Sequence, residues 1–282
     1  MTKKVLALLL ACCTVFSLVF CSCSGGEKKF KILEEDFGAE LYGIGFRNGD
    51  IALGNEVQKH LDDMIADGKM AEISKKWFGA DIVLKDADYV EEHEASADDE
   101  SLQKIKDKGY FIVGLDDSFP PMGYRDENNE IVGFDIDLAK EVAKRMGVEV
   151  RFQPIDWNSK ELELDGGKID MIWNGMTITD ERVAAMYFAK PYLANTQVVI
   201  VPVDSPIQTK ADLAGKKISI QEGSSAVDAV TADDIYEQIG ELVYFGNNQE
   251  AYSDLKIGRV DAFVVDRVAG SYILKTDGTL AE

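Results

Sequence analysis

Beyond residue 23 the chain has no cysteine: Cys12, Cys13, Cys21 and Cys23 are all it contains, so its body holds no internal disulfide. Histidine is almost as scarce, with only His60 and His93. No metal-ligand spacing, phosphate-cradling glycine loop or nucleophile with a base can be read along the chain. Basic residues are few, 30 Lys and Arg against 51 Asp and Glu, which gives a formal charge of −21. So acidic a surface repels phosphate backbones and anionic headgroups and argues against nucleic acid as a partner. Long apolar runs are missing too after the first 20 residues, so no later segment reads as a membrane span.

What the chain does have begins with Lys3 and Lys4, followed by "VLALLLACCTVFSLVF" at 5–20. That run falls short of the roughly 20 apolar residues of a spanning helix and carries the basic flank of a secretory signal, expected over residues 1–22. Cysteines at the end of its apolar core, followed by "SGGEKK", resemble the lipobox of bacterial lipoproteins. The resemblance implies lipidation of Cys23, which follows the small Ser22, and attachment to the membrane through an N-terminal lipid anchor outside the cytoplasm. Phe20 departs from the leucine usual three residues earlier, so Cys21 stays open, as does an ordinary cleaved signal. Cutting before Cys23 leaves 260 residues and removes two lysines, taking the charge to −23. A body of that size usually divides into two domains.

From 101 to 195 strands alternate with helices. "YFIVGL" (110–115) suits a buried strand; Leu138, Val142 and Met146 at helical spacing follow, then "VEVRFQPI" (148–155) and "KIDMIWNGM" (168–176). A second set comprises "KKISIQ" (216–221), a helix opening at Ser224 and Ser225, "LVYF" (242–245), a helix near 248–257 and "VDAFVV" (260–265). The extended "TQVVIVPVD" (196–204) joins them. Such alternation predicts parallel strands with crossover helices, hence an α/β fold of two lobes enclosing a cleft. Residues 52–79 read as helical, with Val57, Leu61, Met64 and Ile65 on one face, His60 on an exposed one and Gly68 as a stop. Residues 80–100 carry eight acids and one lysine from Lys85 to Glu100 and read as a solvated linker. A weak cation site at Asp86, Asp88, Glu91, Glu92 and Glu94 is the lesser alternative.

"GFDIDLAKEVAKRMG" (133–147) resembles the signature of bacterial extracellular solute-binding proteins of family 3, the receptors of polar amino-acid ABC importers. The likeness continues through "DDSFPPMGY" (116–124), "GMTITDERVAAMYFAKPY" (175–192), "DLAGKKISIQEGSSA" (212–226) and "GRVDAFVVDR" (258–267). It implies the two-lobe periplasmic-binding-protein type II fold, with two connecting strands across the cleft. "YGIGFRNGD" (42–50) and the helices closing on "KKWFG" resemble the family's tail, here placed before its head, so the order resembles a circular permutant. The implied divisions are a lobe B strand segment at 30–40 containing "FKIL" (30–33), lobe A helices at 45–79, the acidic linker at 80–100, lobe A at 101–195, a hinge at 196–205 and lobe B at 206–282. A broken gene product that does not fold is the rival reading.

By pattern alone Arg182 is a surface ion-pair partner, Asp266 an N-cap, and Phe119 and Trp157 core aromatics. The resemblance implies other roles. Arg182 stands where the family binds the ligand's carboxylate, with donors from Thr177 and Ser225 and the start of the helix at Ser224, a further ligand-binding position, aimed there; Asp266 and the Gly175 carbonyl stand where it binds the ammonium. Phe119 and Trp157 match positions that sandwich the ligand's side chain, and Asp116, Asn174 and Gln221 match positions that vary with the ligand. The expectation is therefore a monomeric receptor with no cofactor and no metal, which takes a free amino acid and presents it to a membrane permease. Glutamine, another polar amino acid, a basic one and cystine all fit these positions. An enzyme on the same fold, like the cyclohexadienyl dehydratases, and a sensory binding module are the alternatives.

Overall fold

Two long strands organise the chain. The computed structural model describes residues 28–85 and 93–281; the leader, Cys23 and the acidic run from Asp86 to Glu92 lie outside the described residues. The first strand, β1 (Phe30–Phe46), runs unbroken for 17 residues, where the sequence suggests "FKIL" and "YGIGF" as separate pieces. Register shifts between Ile32 and Asp36 and between Asp36 and Ala39, with Gly38 at φ 110°, let exposed Glu34 and Glu35 bulge outward while pairing continues.

Helices α1 (Ile51–Ala66) and α2 (Lys69–Phe78) follow, separated at Gly68, whose φ of 82° ends the first turn of chain direction. Helix α1 buries Leu53, Val57, Leu61 and Met64. His60 is only 8% exposed, which corrects the expectation of an exposed histidine. The reason is its spacing: positions 57, 60, 61 and 64 form one stripe facing the core. The acidic segment is solvated from His93 to Asp98 but docked at both ends. Val83 bridges to Leu193, and the Ala52 and Leu53 amides donate to Asp99 Oδ2 (2.6 Å) and Ser101 Oγ (3.1 Å). These groups cap α1, whose own N-cap, Asp50, supplies no side-chain bond.

The remaining elements are α3 (Ser101–Lys108), β2 (Tyr110–Leu115), the small sheet β3 (Ser118–Phe119), β4 (Gly123–Arg125) and β5 (Ile131–Val132), α4 (Phe134–Met146), β6 (Glu149–Pro154), α5 (Lys160–Asp165), β7 (Met171–Thr177), α6 (Asp180–Ala185) and β8 (Tyr187–Phe188). After β9 (Leu193–Pro202) come β10 (Lys217–Gln221), α7 (Ser225–Thr231), β11 (Glu241–Phe245), α8 (Asn248–Ile257), β12 (Ala262–Asp266) and α9 (Arg267–Thr276). The main sheet runs β11-β10-β12-β9-β1-β7-β2-β6, with β8 against β1. Strand pairs within each outer set are parallel, and those involving β9 and β1 are antiparallel. Two parallel α/β lobes thus flank a pair of long connectors, and the cleft opens where the parallel strands end.

Phe30 to Ile32 pair with Pro202 to Ile200 of β9, and the Phe30 amide donates to the Thr279 carbonyl at 2.8 Å. The Ala281 amide returns a 2.9 Å bond to the Phe30 carbonyl, so the first and last described stretches lie side by side.

Candidate functional site

The C-terminal ends of β2, β7, β10 and β12 deliver Asp116, Thr177, Gln221 and Asp266 to one place. There Asp116, Phe119, Trp157, Asn174, Gly175, Thr177, Arg182, Gln221, Ser224, Ser225 and Asp266 together line one cavity between the lobes. All eleven site residues expected from the sequence meet around it. Arg182, a surface ion-pair partner by pattern, and Asp266, an N-cap by pattern, are 7% and 6% exposed.

Arg182 sits in α6, whose N-cap Thr179 accepts from the Arg182 amide. Its Nη1 donates to the Thr177 carbonyl at 2.8 Å and its Nη2 to the Gly223 carbonyl at 3.2 Å. Among the described residues no carboxylate lies within ion-pair distance of it. Burial pulls the guanidinium below its ordinary value, yet arginine keeps its charge. A buried cation held only by carbonyls is a site for an anion with a matching planar fork.

Asp266 precedes α9 but makes no cap bond. Its Oδ1 instead accepts from Tyr42 Oη at 2.6 Å and Asn195 Nδ2 at 2.7 Å. Burial, then the nearby Glu40 carboxylate, pushes the Asp266 carboxyl up to about 7. Between these poles Ser225 Oγ donates to Thr177 Oγ1 at 3.0 Å and Thr177 Oγ1 donates to Glu40 Oε2 at 3.1 Å. Ser224 turns its hydroxyl back to the Gln221 carbonyl at 2.7 Å.

The far end is equally organised. Asp116 accepts from the Ser118 amide and hydroxyl (2.9 and 2.6 Å) and, across the cleft, from Gln221 Nε2 at 2.8 Å. Gln221 Oε1 is fixed in turn by Asn248 Nδ2 at 2.7 Å. Burial raises the Asp116 carboxyl against the lowering effect of these donors. Asn174 Oδ1 takes the Asp116 amide, while its buried Nδ2 has no protein partner.

Several groups were not found by sequence reasoning. Asp135, in the first turn of α4, is 1% exposed and accepts from the Gly175 amide at 2.7 Å and Tyr192 Oη at 2.9 Å. Burial raises it to about 7. Gly175 adopts φ 58°, and a Cβ there would stand 3.0 to 3.1 Å from Phe119, Met122 and Tyr42. Lys160, 4% exposed, donates to the Gly223 carbonyl at 3.0 Å and joins the two lobes. Glu40, Tyr42, Asn195 and Gln197 come from the connectors, at the two-residue spacing that puts strand side chains on one face. Neither histidine lines the cavity. Among the described residues no acidic, histidine and cysteine cluster could hold a metal, and no helix is long and apolar enough to cross a membrane.

With this geometry in place, residues 111–268 match the profile of the bacterial extracellular solute-binding proteins, family 3. The chain belongs to that family. The L-cystine-binding protein TcyJ of Escherichia coli (strain K12) is 32% identical over 188 residues, which span 66% of this chain and 70% of that protein. The ABC transporter arginine-binding protein 1 of the same organism is 36% identical over 167 residues, 59% of this chain and 67% of its own length. Among solved structures, an ABC uptake transporter substrate binding protein from Streptococcus pneumoniae with bound histidine aligns with a TM-score of 0.63 and 38% identity, covering 66% of this chain and 76% of that one. This family 3 chain therefore shares its mixed α/β two-lobe fold with amino-acid-binding proteins of ABC importers.

Proposed function

We propose that the chain is the extracytoplasmic binding component of an ABC importer for a polar amino acid, and that the eleven cavity residues hold the ligand. The observation that carries this reading is the pairing of a buried, carbonyl-held Arg182 with a buried, neutrally bonded Asp266 across one cavity. An α-carboxylate answers the first and an α-ammonium the second. Phe119 and Trp157 supply apolar walls for the side chain, and Asp116 with Gln221 supplies its polar end. Each lobe provides part of the set, so the ligand gains its full interaction only when the lobes close, and binding shifts the population toward closure. A permease then reads the closed shape.

Lipidation at Cys23 and a monomeric state belong to the same proposal, as does the permuted order. Supporting the last, Phe30 lies hydrogen-bonded to both Thr279 and Ala281, where a continuous chain would pass. The reading as a receptor and not an enzyme is checked by following each bound amino acid by NMR with protein for chemical change; none is expected.

The deciding experiment is isothermal titration of residues 24–282 against the common amino acids, with Arg182→Ala alongside. One ligand binding at micromolar or tighter Kd, and at least a hundredfold weaker in the mutant, is the expected outcome; a buried charge-assisted pair of this kind is worth about 3 kcal/mol or more when one partner is removed. A folded protein that binds none would overturn the reading.

A further inference from the structure

Glu40 enters the site from β1, and the likeness to the family gives it no role. Its Oε2 accepts from Thr177 Oγ1 at 3.1 Å, Asn195 Nδ2 at 3.0 Å and Gln197 Nε2 at 3.0 Å. The same Asn195 Nδ2 donates to Asp266 Oδ1 at 2.7 Å. One neutral amide therefore bridges two carboxylates, and among the described residues no cation lies within ion-pair distance of either. Gln197 is fully buried, and its Oε1, a further acceptor beside the pair, has no protein partner. Two acids thus share one amide donor, with no cation among the described residues bonded to either. Like charges this close in a poorly hydrated place cannot both persist without a cation or a shared proton.

We propose that Glu40 is a specificity-determining residue of the ammonium half-site: bridged to Asp266 by the Asn195 amide, it makes a two-carboxylate trap that accepts a cation and holds a proton when none is bound. The inference deepens the reading of the cavity as an amino-acid site. A ligand with an ammonium displaces the proton, which leaves to solvent, and a ligand without one leaves the proton in place and gains no ion pair with either acid.

The charged and titratable groups around the pair are few. From β1 comes Tyr42, hydrogen-bonded to Asp266, with Tyr192 behind it. From α6 comes Arg182, which feels both acids but is bonded to carbonyls. From α9 comes Arg267, turned away to Thr196 Oγ1 (2.9 Å) and Asp36 Oδ2 (3.6 Å). From β9 come only the neutral Asn195 and Gln197. The position of Asp266 near 7 agrees with a proton resident on that carboxyl at and below neutrality.

The first test needs no ligand. In the ligand-free full chain labelled with 13C-carboxyl aspartate, with the Asp266 signal assigned by Asp266→Asn, that carboxyl is expected to titrate near neutrality. Glu40→Gln, which keeps an acceptor oxygen for the three donors, is expected to lower the midpoint by about one pH unit or more. Asn195→Ala, which removes the bridging donor and keeps both acids, is expected to raise it. An unmoved midpoint in both variants overturns the proposal, whether or not amino acids bind. Titration calorimetry in buffers of different ionisation enthalpy then counts protons: for the amino acid that binds, about one should leave per ligand at pH 6 in the wild type and fewer in Glu40→Gln. Equal release by the two proteins also overturns it. If the midpoints move as expected but no amino acid binds, the trap stands and the amino-acid reading falls.

Discussion

Asp135 shows how far a site depends on a group that never touches its cavity. It holds the Gly175 amide and the Tyr192 hydroxyl, and so fixes the carbonyl direction of a glycine with positive φ. Asp135→Ala leaves two buried donors without an acceptor, at about 1–3 kcal/mol each. The expected result is a Tm lower by several degrees in calorimetry, together with weaker ligand binding because the Gly175 carbonyl is released. Asp135 and Asp266 also set a pH dependence. Both carboxyls stand at about 7 in the folded chain, above the ordinary value near 4 that they regain on unfolding. Between those values the folded state binds more protons than the unfolded one, so stability falls as pH rises through the window and levels off above 7. Each group acts with a slope of up to about 1.4 kcal/mol per pH unit. Chemical denaturation of the ligand-free protein at pH 5 and pH 8 should give the larger unfolding free energy at pH 5, and ligand should narrow the gap by ionising Asp266. A larger value at pH 8 would contradict this.

At the scale of elements, the lobes meet at Gly223, in the turn between β10 and α7. Its carbonyl accepts from both Arg182 and Lys160, cations of the opposite lobe, and its φ of 68° turns that carbonyl toward them. A Cβ there would stand 2.9 Å from Asn158 Oδ1 and 3.0 Å from Asn158 Cα. Gly223→Ala is therefore expected to hold the lobes apart: small-angle scattering should show a larger radius of gyration with ligand than the wild type, and affinity should drop at least tenfold. An unchanged closed envelope would show that the turn adapts. The strands and helices around this joint were legible because apolar runs and helical spacing fix which face is buried, and the residues at strand ends were legible through the likeness in "GMTITDER" and "FVVDR". Four things were not legible in the local pattern. The length of β1 was hidden by "EEDFGAE", whose bulges break the two-residue alternation. The burial of His60 was masked by its polarity, although its place in the 57, 60, 61, 64 stripe carries the signal. Asp266 reads as a cap because an acid before a helix ordinarily is one. Glu40, Asn195 and Gln197 act through contacts between segments some 155 residues apart, which no local pattern contains.

At the scale of the molecule, what matters is whether chain order or contact pattern carries the binding function. β1 lies between β9 and β7 and meets the lobe B tail at Phe30, so every neighbour it needs is present whichever end of the chain supplies it. The proposed permutation places the connection in the acidic segment, where His93 to Asp98 are exposed. A rearranged gene should then restore the family's order without touching the cavity: residue 281 joined through a short glycine–serine linker to residue 28, and the chain opened between Lys85 and His93. Loop-closure entropy changes only slowly with linker length, so the stability change from reconnection is expected to stay within about 1–2 kcal/mol. The ligand and its Kd should be those of the natural order within a few fold, measured by the same titration. Docking contacts at Leu84, Asp99 and Ser101 persist in both versions and keep α1 capped. Loss of folding in the rearranged chain, with the natural one intact, would mean that the linker from 80 to 100 is an organising element and that the order of segments is required for assembly.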